Sequence, residues 1–371
     1  MTSSNGDFLP LKAIDHVEFW VGNAFQARHF YEKNFGFKPV ARAGLETGVR
    51  DRSSYVLEQG EIRYVLTTGL DADSEIADHV RRHGDGVRDI CLLVDDVDYS
   101  FEQTVKRGAR PVAEPYSVED EHGSVRRAII ATYGDTVHSF INRSAYKGPF
   151  LPSYQAMSAI NGHAQAGDGS SLQAIDHIVG NVELGRMDEW VDFYAKVMGF
   201  ELFVHYDDED IHTEYSALMS KVMADGDGKI KFPINEPAEG RKKSQIQEYL
   251  EYYGGPGVQH IAMRTDNIVA TIDRLKGSGV EFLEVPASYY EITPERVGHI
   301  DESWRDIQRL SILADRDQDG YLLQIFTKPV EDRPTLFYEV IERHGARGFG
   351  IGNFKALFES IEREQERRGN L

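Results

Sequence analysis

The chain has one cysteine, Cys91, in 371 residues. No intramolecular disulfide and no cysteine-based zinc site can form from it, and such sparing use of thiols fits a reducing compartment. Cys91 lies in the apolar run ICLLV, the setting of a core residue rather than of a nucleophile. Basic residues are outnumbered: 41 Lys and Arg against 61 Asp and Glu, a formal net charge of −20. That balance excludes nucleic acid and anionic membrane as main partners. No run approaches the roughly 20 apolar residues of a membrane span. The first residues, MTSSNGDFLP, carry neither a basic segment nor an apolar one of the kind that directs secretion. A soluble, cytoplasmic protein is expected.

What the chain does have is length and repetition. It exceeds one ordinary core, so two domains are expected. The segment AIDHVEFWVGN and the helical pattern after it, Ala13 to Phe37, return as AIDHIVGNVELGRMDEWVDFYAKVMGF, Ala174 to Phe200. His16 and His177 fall at the same place in the two copies. GVRDICLLVDDV from Gly86 returns as GVQHIAMRTDNI from Gly257, and the match runs on through Gly108 with Gly279 and Pro115 with Pro286. Each half therefore holds two units of strand, helix and strands, and repeats of this kind decide the fold. Between the halves, residues 152–173 are rich in Ala, Gly and Ser without periodicity, as in a linker. Near the end, Phe354, Leu357, Phe358 and Ile361 form one apolar stripe of a C-terminal helix.

This organisation resembles the vicinal-oxygen-chelate superfamily. The resemblance implies an α+β fold: two vicinal-oxygen-chelate domains built from βαβββ repeats, each an open barrel-like sheet. The expected division is 1–151, a linker 152–173, and 174–371 with a helix over 353–368.

A metal site in such a cup needs ligands from separate strands. His177 shares a strand face with Ile175 and Val179, and His260 with Val258 and Ala262. In the strand FYEVIERH, Glu339 shares a face with Phe337 and Ile341. An ionised Glu on an apolar face is costly unless a cation meets it. Two imidazoles and a carboxylate are the ligand set of non-heme Fe(II) oxygenases, which leaves coordination positions open for substrate and O2. The first half is less complete. His16 matches His177, but Asp89 replaces His260. The closing strand TVHSFINR holds His138 and no Glu, in a register the sequence leaves open. No complete metal site is expected there. His79 and His83 have helical spacing in the polar stretch DHVRRHGDG, which predicts a solvated face rather than a zinc site. GFGIG, from Gly348, lacks the features of a phosphate loop and reads as a hinge.

Over nearly its whole length the chain resembles the 4-hydroxyphenylpyruvate dioxygenase family, most strongly in KFPINEP, KSQIQEYLEYYGGPGVQHIA, ILADRDQDGYLLQIFTKP and GFGIGNFKALFESIE. The resemblance implies that His177, His260 and Glu339 bind one Fe(II) per chain. It implies a polar pocket lining of Ser220, Asn235, Gln245, Gln259 and Gln324, an aromatic wall of Phe326, Phe337, Phe349 and Phe354, and Asn353 in the bend beside it. Regular alternation would turn Gln259 away from His260. Ile351 departs from the GFGKGN pattern commonest among relatives. The implied reaction takes 4-hydroxyphenylpyruvate and O2 to homogentisate and CO2, in tyrosine and phenylalanine catabolism, with the bend and last helix as a lid. A homo-oligomer, dimer or tetramer, is expected. The rival readings are 4-hydroxymandelate synthase, with the same metal and substrate but a different oxidised carbon, a glyoxalase-like isomerase that needs no O2, and a metal-free binding module.

Overall fold

The structure, a computed structural model, describes residues 8–157, 171–206, 218–238 and 242–370. Most of the expected linker, residues 158–170, lies outside the described residues. Four units of one plan make up the rest. The first runs β1 (Leu11–Trp20), α1 (Ala24–Phe30), β2 (Lys38–Ala43), β3 (Arg52–Gln59) and β4 (Ile62–Gly69). Helix α2 (Glu75–His83) leads to the second: β5 (Gly86–Val94), α3 (Val97–Lys106), β6 (Pro111–Asp120), β7 (Gly123–Ala131) and β8 (Val137–Asn142). A short β9 (Gln155–Ala156) pairs with β2. The third unit is β10 (Ala174–Asn181), α4 (Met187–Lys196), β11 (Glu201–Tyr206), β12 (Leu218–Ala224) and β13 (Lys231–Pro237), followed by α5 (Gln245–Tyr253). The fourth is β14 (Gly257–Arg264), α6 (Ile268–Gly277), α7 (Tyr289–Val297), α8 (Trp304–Leu310), β15 (Leu313–Arg316), β16 (Tyr321–Phe326) and β17 (Phe337–His344). Helix α9 (Phe354–Arg368) ends the chain.

The strand-to-helix turns are written in the sequence. Asn23, Asp96 and Asn267 each stand before a helix and accept a hydrogen bond from a backbone N–H of its first turn, at 3.1, 2.9 and 2.9 Å. Each cap satisfies a donor that the helix itself cannot.

The two sheets repeat one order: β6-β7-β8-β5-β1-β4-β3-β2-β9 and β11-β12-β13-β10-β14-β17-β16-β15. At the centre of each, the first strands of its two units run antiparallel, β1 with β5 and β10 with β14. The register places His177 opposite Ala262, and Ala262 opposite Glu339. His260, two residues before Ala262, shares that face. Three candidate ligands thus reach one place from three adjacent strands.

Alternate residues of β17 serve the opposite face. Tyr338 is fully buried there, with its hydroxyl 2.7 Å from that of Tyr31 and its ring stacked near Tyr64. The backs of the two sheets therefore share one apolar core, which leaves the cups facing outward. His138 belongs to this shared core. Its Nδ1 lies 3.1 Å from the Ile90 carbonyl, its Nε2 lies 2.8 Å from the Tyr194 hydroxyl, and its ring stacks on Phe232. Burial lowers its pKa to about 4, so it is a neutral packing residue.

The expectation of a solvated face on α2 is corrected. His79 and His83 are only 1% and 4% exposed. The polar pattern is that of a surface helix, but the C-terminal half covers this face: the His83 ring stacks on Tyr253 with centroids 4.5 Å apart. Among the described residues, no helix is long and apolar enough to cross a membrane.

Candidate metal centre

Each ligand candidate is held from behind. On β10, His177 Nδ1 lies 2.8 Å from Asp176 Oδ1, and both Asp176 oxygens accept from Arg343 on β17, at 2.7 and 2.8 Å. On β14, His260 Nδ1 faces Gln259 Oε1 at 3.0 Å, while its ring stacks on Phe337. With each Nδ1 donating to an acceptor, each Nε2 presents a lone pair. Both lone pairs converge on the same oxygen: Glu339 Oε2 lies 3.1 Å from His177 Nε2 and 3.5 Å from His260 Nε2. All three side chains are buried.

Burial alone would raise the Glu339 pKa, but when the imidazoles carry protons at Nε2 their charge and hydrogen bonds outweigh it and hold the carboxyl at about 2. Burial likewise opposes charge on His177, yet the Glu339 and Asp176 carboxylates shift it upward. For His260 burial prevails, and its pKa falls. Three buried donor atoms within reach of one another and aimed at one point fit a divalent cation. The absence of any thiolate among them disfavours a soft metal.

In front of the donors lies a cavity of about 80 Å³. Ser220 on β12 and Asn235 on β13, paired in register, form part of its wall with Gln245, the first residue of α5. Phe326 and Phe337 flank the donors, and Phe349 and Phe354 close the cavity from the bend and from α9. The Phe349 ring meets His177 edge-on, with centroids 5.0 Å apart. Gln259 reaches the cavity margin while also orienting His260. Gln324 and Asn353 do not border the cavity. Gln324 is buried beneath Gly350, with no hydrogen-bond partner for either amide atom among the described residues. The Oδ1 of Asn353 accepts from the Tyr289 hydroxyl at 2.6 Å and from Arg296 at 3.2 Å, which anchors the start of α9.

The hinge expected at GFGIG is tied down. Asp317 Oδ2 accepts from the backbone N–H groups of Arg347 and Gly348, both at 2.8 Å, and Asp315 Oδ2 accepts from that of Gly352 at 3.0 Å. Gly350 has φ +77°, and a Cβ there would stand 2.6 Å from the Gln324 amide, so only glycine fits.

Sequence reasoning passed over Asp176 and Arg343, and also Tyr206, Leu357 and Phe358 in the wall. The first pair had a signal. IDH precedes the helix in both halves, and Arg143 and Arg343 close the matching strands. In the first half the same arrangement stands: Asp15 Oδ1 lies 2.6 Å from His16 Nδ1 and 2.5 Å from Arg143. Two of the three ligand types are gone, however. Register puts Asp89 where His260 is and Ser139 where Glu339 is. Arg127, at the position of Gln324, reaches Asp89 at 3.4 Å and Ser139 at 3.3 Å. The cavity in front of them measures about 600 Å³.

The comparisons agree with this geometry. Residues 174–325 match the Glyoxalase/Bleomycin resistance protein/Dioxygenase superfamily, and residues 15–126 match a second model of the same superfamily. The chain is 49% identical to the 4-hydroxyphenylpyruvate dioxygenase of Yarrowia lipolytica, covering 97% of this chain and 94% of that one. It is 49% identical to that of Dictyostelium discoideum, covering 97% and 100%. Among solved structures, a triple mutant of 4-hydroxymandelate synthase from Streptomyces coelicolor superposes with TM-score 0.86 at 34% identity, covering 96% of this chain and all of that one. With two glyoxalase-type cups, one of them bearing a convergent His, His, Glu set, and near-full-length identity of this order, the chain belongs to the 4-hydroxyphenylpyruvate dioxygenase family.

Proposed function

We propose that the second cup holds one Fe(II) through His177, His260 and Glu339, and that the chain converts 4-hydroxyphenylpyruvate and O2 to homogentisate and CO2. One observation carries this reading: two imidazole lone pairs aimed at a single oxygen of a buried carboxylate, with both rings fixed from behind. A cation there relieves lone-pair repulsion and the burial cost of Glu339 together. Iron so placed supplies the capacity to activate O2 beside a chelating 2-oxo acid, which no side chain of the cup can do.

The side chains do the rest. The Phe326 and Phe337 rings offer apolar faces to an aromatic ring and fix where its carbons lie relative to the donors. Ser220, Asn235 and Gln245 offer hydrogen bonds to a polar substituent. Phe349 and Phe354 shut out water, which protects reactive species and keeps the site's electrostatics strong. A dimer or tetramer in the cytoplasm, and division of the chain at 152–173, belong to the same reading. The division is supported by the placement of β1–β8 in one sheet and β10–β17 in the other, while β9, inside 152–173, joins the edge of the first sheet.

Incubation of the protein with Fe(II), 4-hydroxyphenylpyruvate and O2, followed by product identification, tests the reading. Homogentisate with one iron per chain is expected, and hydroxymandelate would overturn it. His260→Ala should lose iron and turnover while keeping its fold. Undiminished O2 uptake by that variant would refute the ligand assignment.

A further inference from the structure

We propose a second metal site, of the zinc class, at the seam between the halves, built from His79, His83 and Asp135. His79 and His83 lie one turn apart on α2, with ring centroids 4.6 Å apart. Asp135 comes from the turn between β7 and β8, and the ligand atoms of the three residues lie within 4.8 Å of one another. Zinc bonds of about 2.0–2.2 Å close that span once the side chains rotate toward a common point.

The tautomer of His83 is set from behind. Its Nδ1 faces the Tyr253 carbonyl at 2.6 Å and must donate to it, so Nε2 carries the lone pair. That lone pair points at Asp135 Oδ2, 2.9 Å away. Two acceptors at that distance need a proton or a cation with them. His79 supplies the independent sign. It is 1% exposed, and neither ring nitrogen has a hydrogen-bond partner among the described residues. A buried imidazole with two unsatisfied nitrogens costs free energy, and a metal bond would remove the part that comes from its lone-pair nitrogen. Burial first, then the neighbouring His83 and Arg88, lowers its pKa to about 3, which keeps a lone pair available. Asp135 is 35% exposed, so an ion has a path in and a water can complete the tetrahedron.

Two arginines compete. Arg82 lies 2.5 Å from Asp135 Oδ2, and Arg88 donates to the Asp135 carbonyl while covering the Trp20 ring. Arg82 is 44% exposed and also holds Asp78 at 3.1 Å, so it can release Asp135 to an incoming ion. Because His83 leans on Tyr253, a bound ion would clip α2 and the β7–β8 turn to the C-terminal half.

The test counts zinc on the metal-free, full-length chain by equilibrium dialysis. Wild type is expected to bind two equivalents, one in each site. In the His260→Ala background one equivalent should remain and should raise Tm. Adding Asp135→Asn should remove it, and adding Arg82→Gln should tighten it about tenfold by removing the rival cation. Asp135→Asn alone should leave turnover of the iron-loaded protein unchanged. The proposal is overturned if His260→Ala binds no zinc, or if its zinc persists with Asp135→Asn. His79→Ala should behave as Asp135→Asn does. If it does not fold, the partly exposed Asp135 carries the test.

Discussion

The two cups share a scaffold and differ in what neutralises their buried carboxylate. In the second, Glu339 faces two imidazole lone pairs and needs a cation from solution. In the first, Asp89 accepts from the backbone N–H of Ser139 at 2.9 Å and from its hydroxyl, and Arg127 supplies the positive charge. The Asp–His–Arg brace behind the ligands persists in both, as Asp15, His16 and Arg143 and as Asp176, His177 and Arg343. The brace is therefore a property of the repeat, and the capacity to hold a metal is a property of three positions laid over it. A guanidinium is a fixed cation with no open valence. Placed in such a cup it satisfies electrostatics and forecloses coordination chemistry.

Breaking that contrast gives the predictions, with the largest effect first. Glu339→Ala should lose bound metal and slow turnover at least about 1,000-fold, about 4 kcal/mol of barrier. Ser139→Ala, at the matched position, should leave iron content and rate within about twofold; metal analysis with O2 uptake checks both. Arg127→Met strands Asp89 in a buried cup and should destabilise the fold by about 3–5 kcal/mol in urea titration, with iron content unchanged. Adding Asp89→Asn should return most of that loss. Arg343→Gln loosens Asp176 and through it His177, and should weaken metal affinity by about 10–100-fold, read by competition with a chelator.

The last two effects are smaller. Although burial opposes it, Asp15 is held at about 2, against an ordinary 3.8, by His16, Arg143 and Arg63. A depressed carboxylate stabilises the fold above its unfolded pKa and ceases to do so as pH falls. About 2 kcal/mol should therefore vanish between about pH 4 and pH 2. Asp15→Asn should flatten that part of the stability profile. Gly350→Ala forces a side chain into the left-handed region and against Gln324. It should cost about 1–2 kcal/mol and raise KM more than it lowers kcat, by displacing the bend.

Much of this was legible in the residues. Repeated IDH and GV strands gave the duplicated frame, and strand alternation put Glu339 on the face of Phe337. The fourfold unit then brought His177, His260 and Glu339 to one sheet centre. Other features depend on contacts distant in sequence. Nothing local to DHVRRHGDG says that Tyr253, from the other half, will cover it. The register of TVHSFINR was open because His138 and Ser139 are both plausible inward residues. Only the pairing of Ile129 with Ser139 and the Tyr194 partner of His138 decide it. Gln324 and Asn353 lie in matching motifs, yet the bend over Gly350 and the grip of Tyr289 keep both from the cavity wall.

Strand β17 carries Glu339, the Arg343 that braces His177 through Asp176 and, directly after them, the closing bend and helix. Chains emerge from the ribosome N-terminus first, at about 5–20 residues per second. The first cup, complete with its own internal cation, can therefore close while the second still lacks its outgoing strand. A chain released before Phe337 would have two histidines at the right place and neither the carboxylate nor the cover. On the proposed ligand set, completion of the site is thereby tied to the final seconds of synthesis, and truncated products would lack its carboxylate.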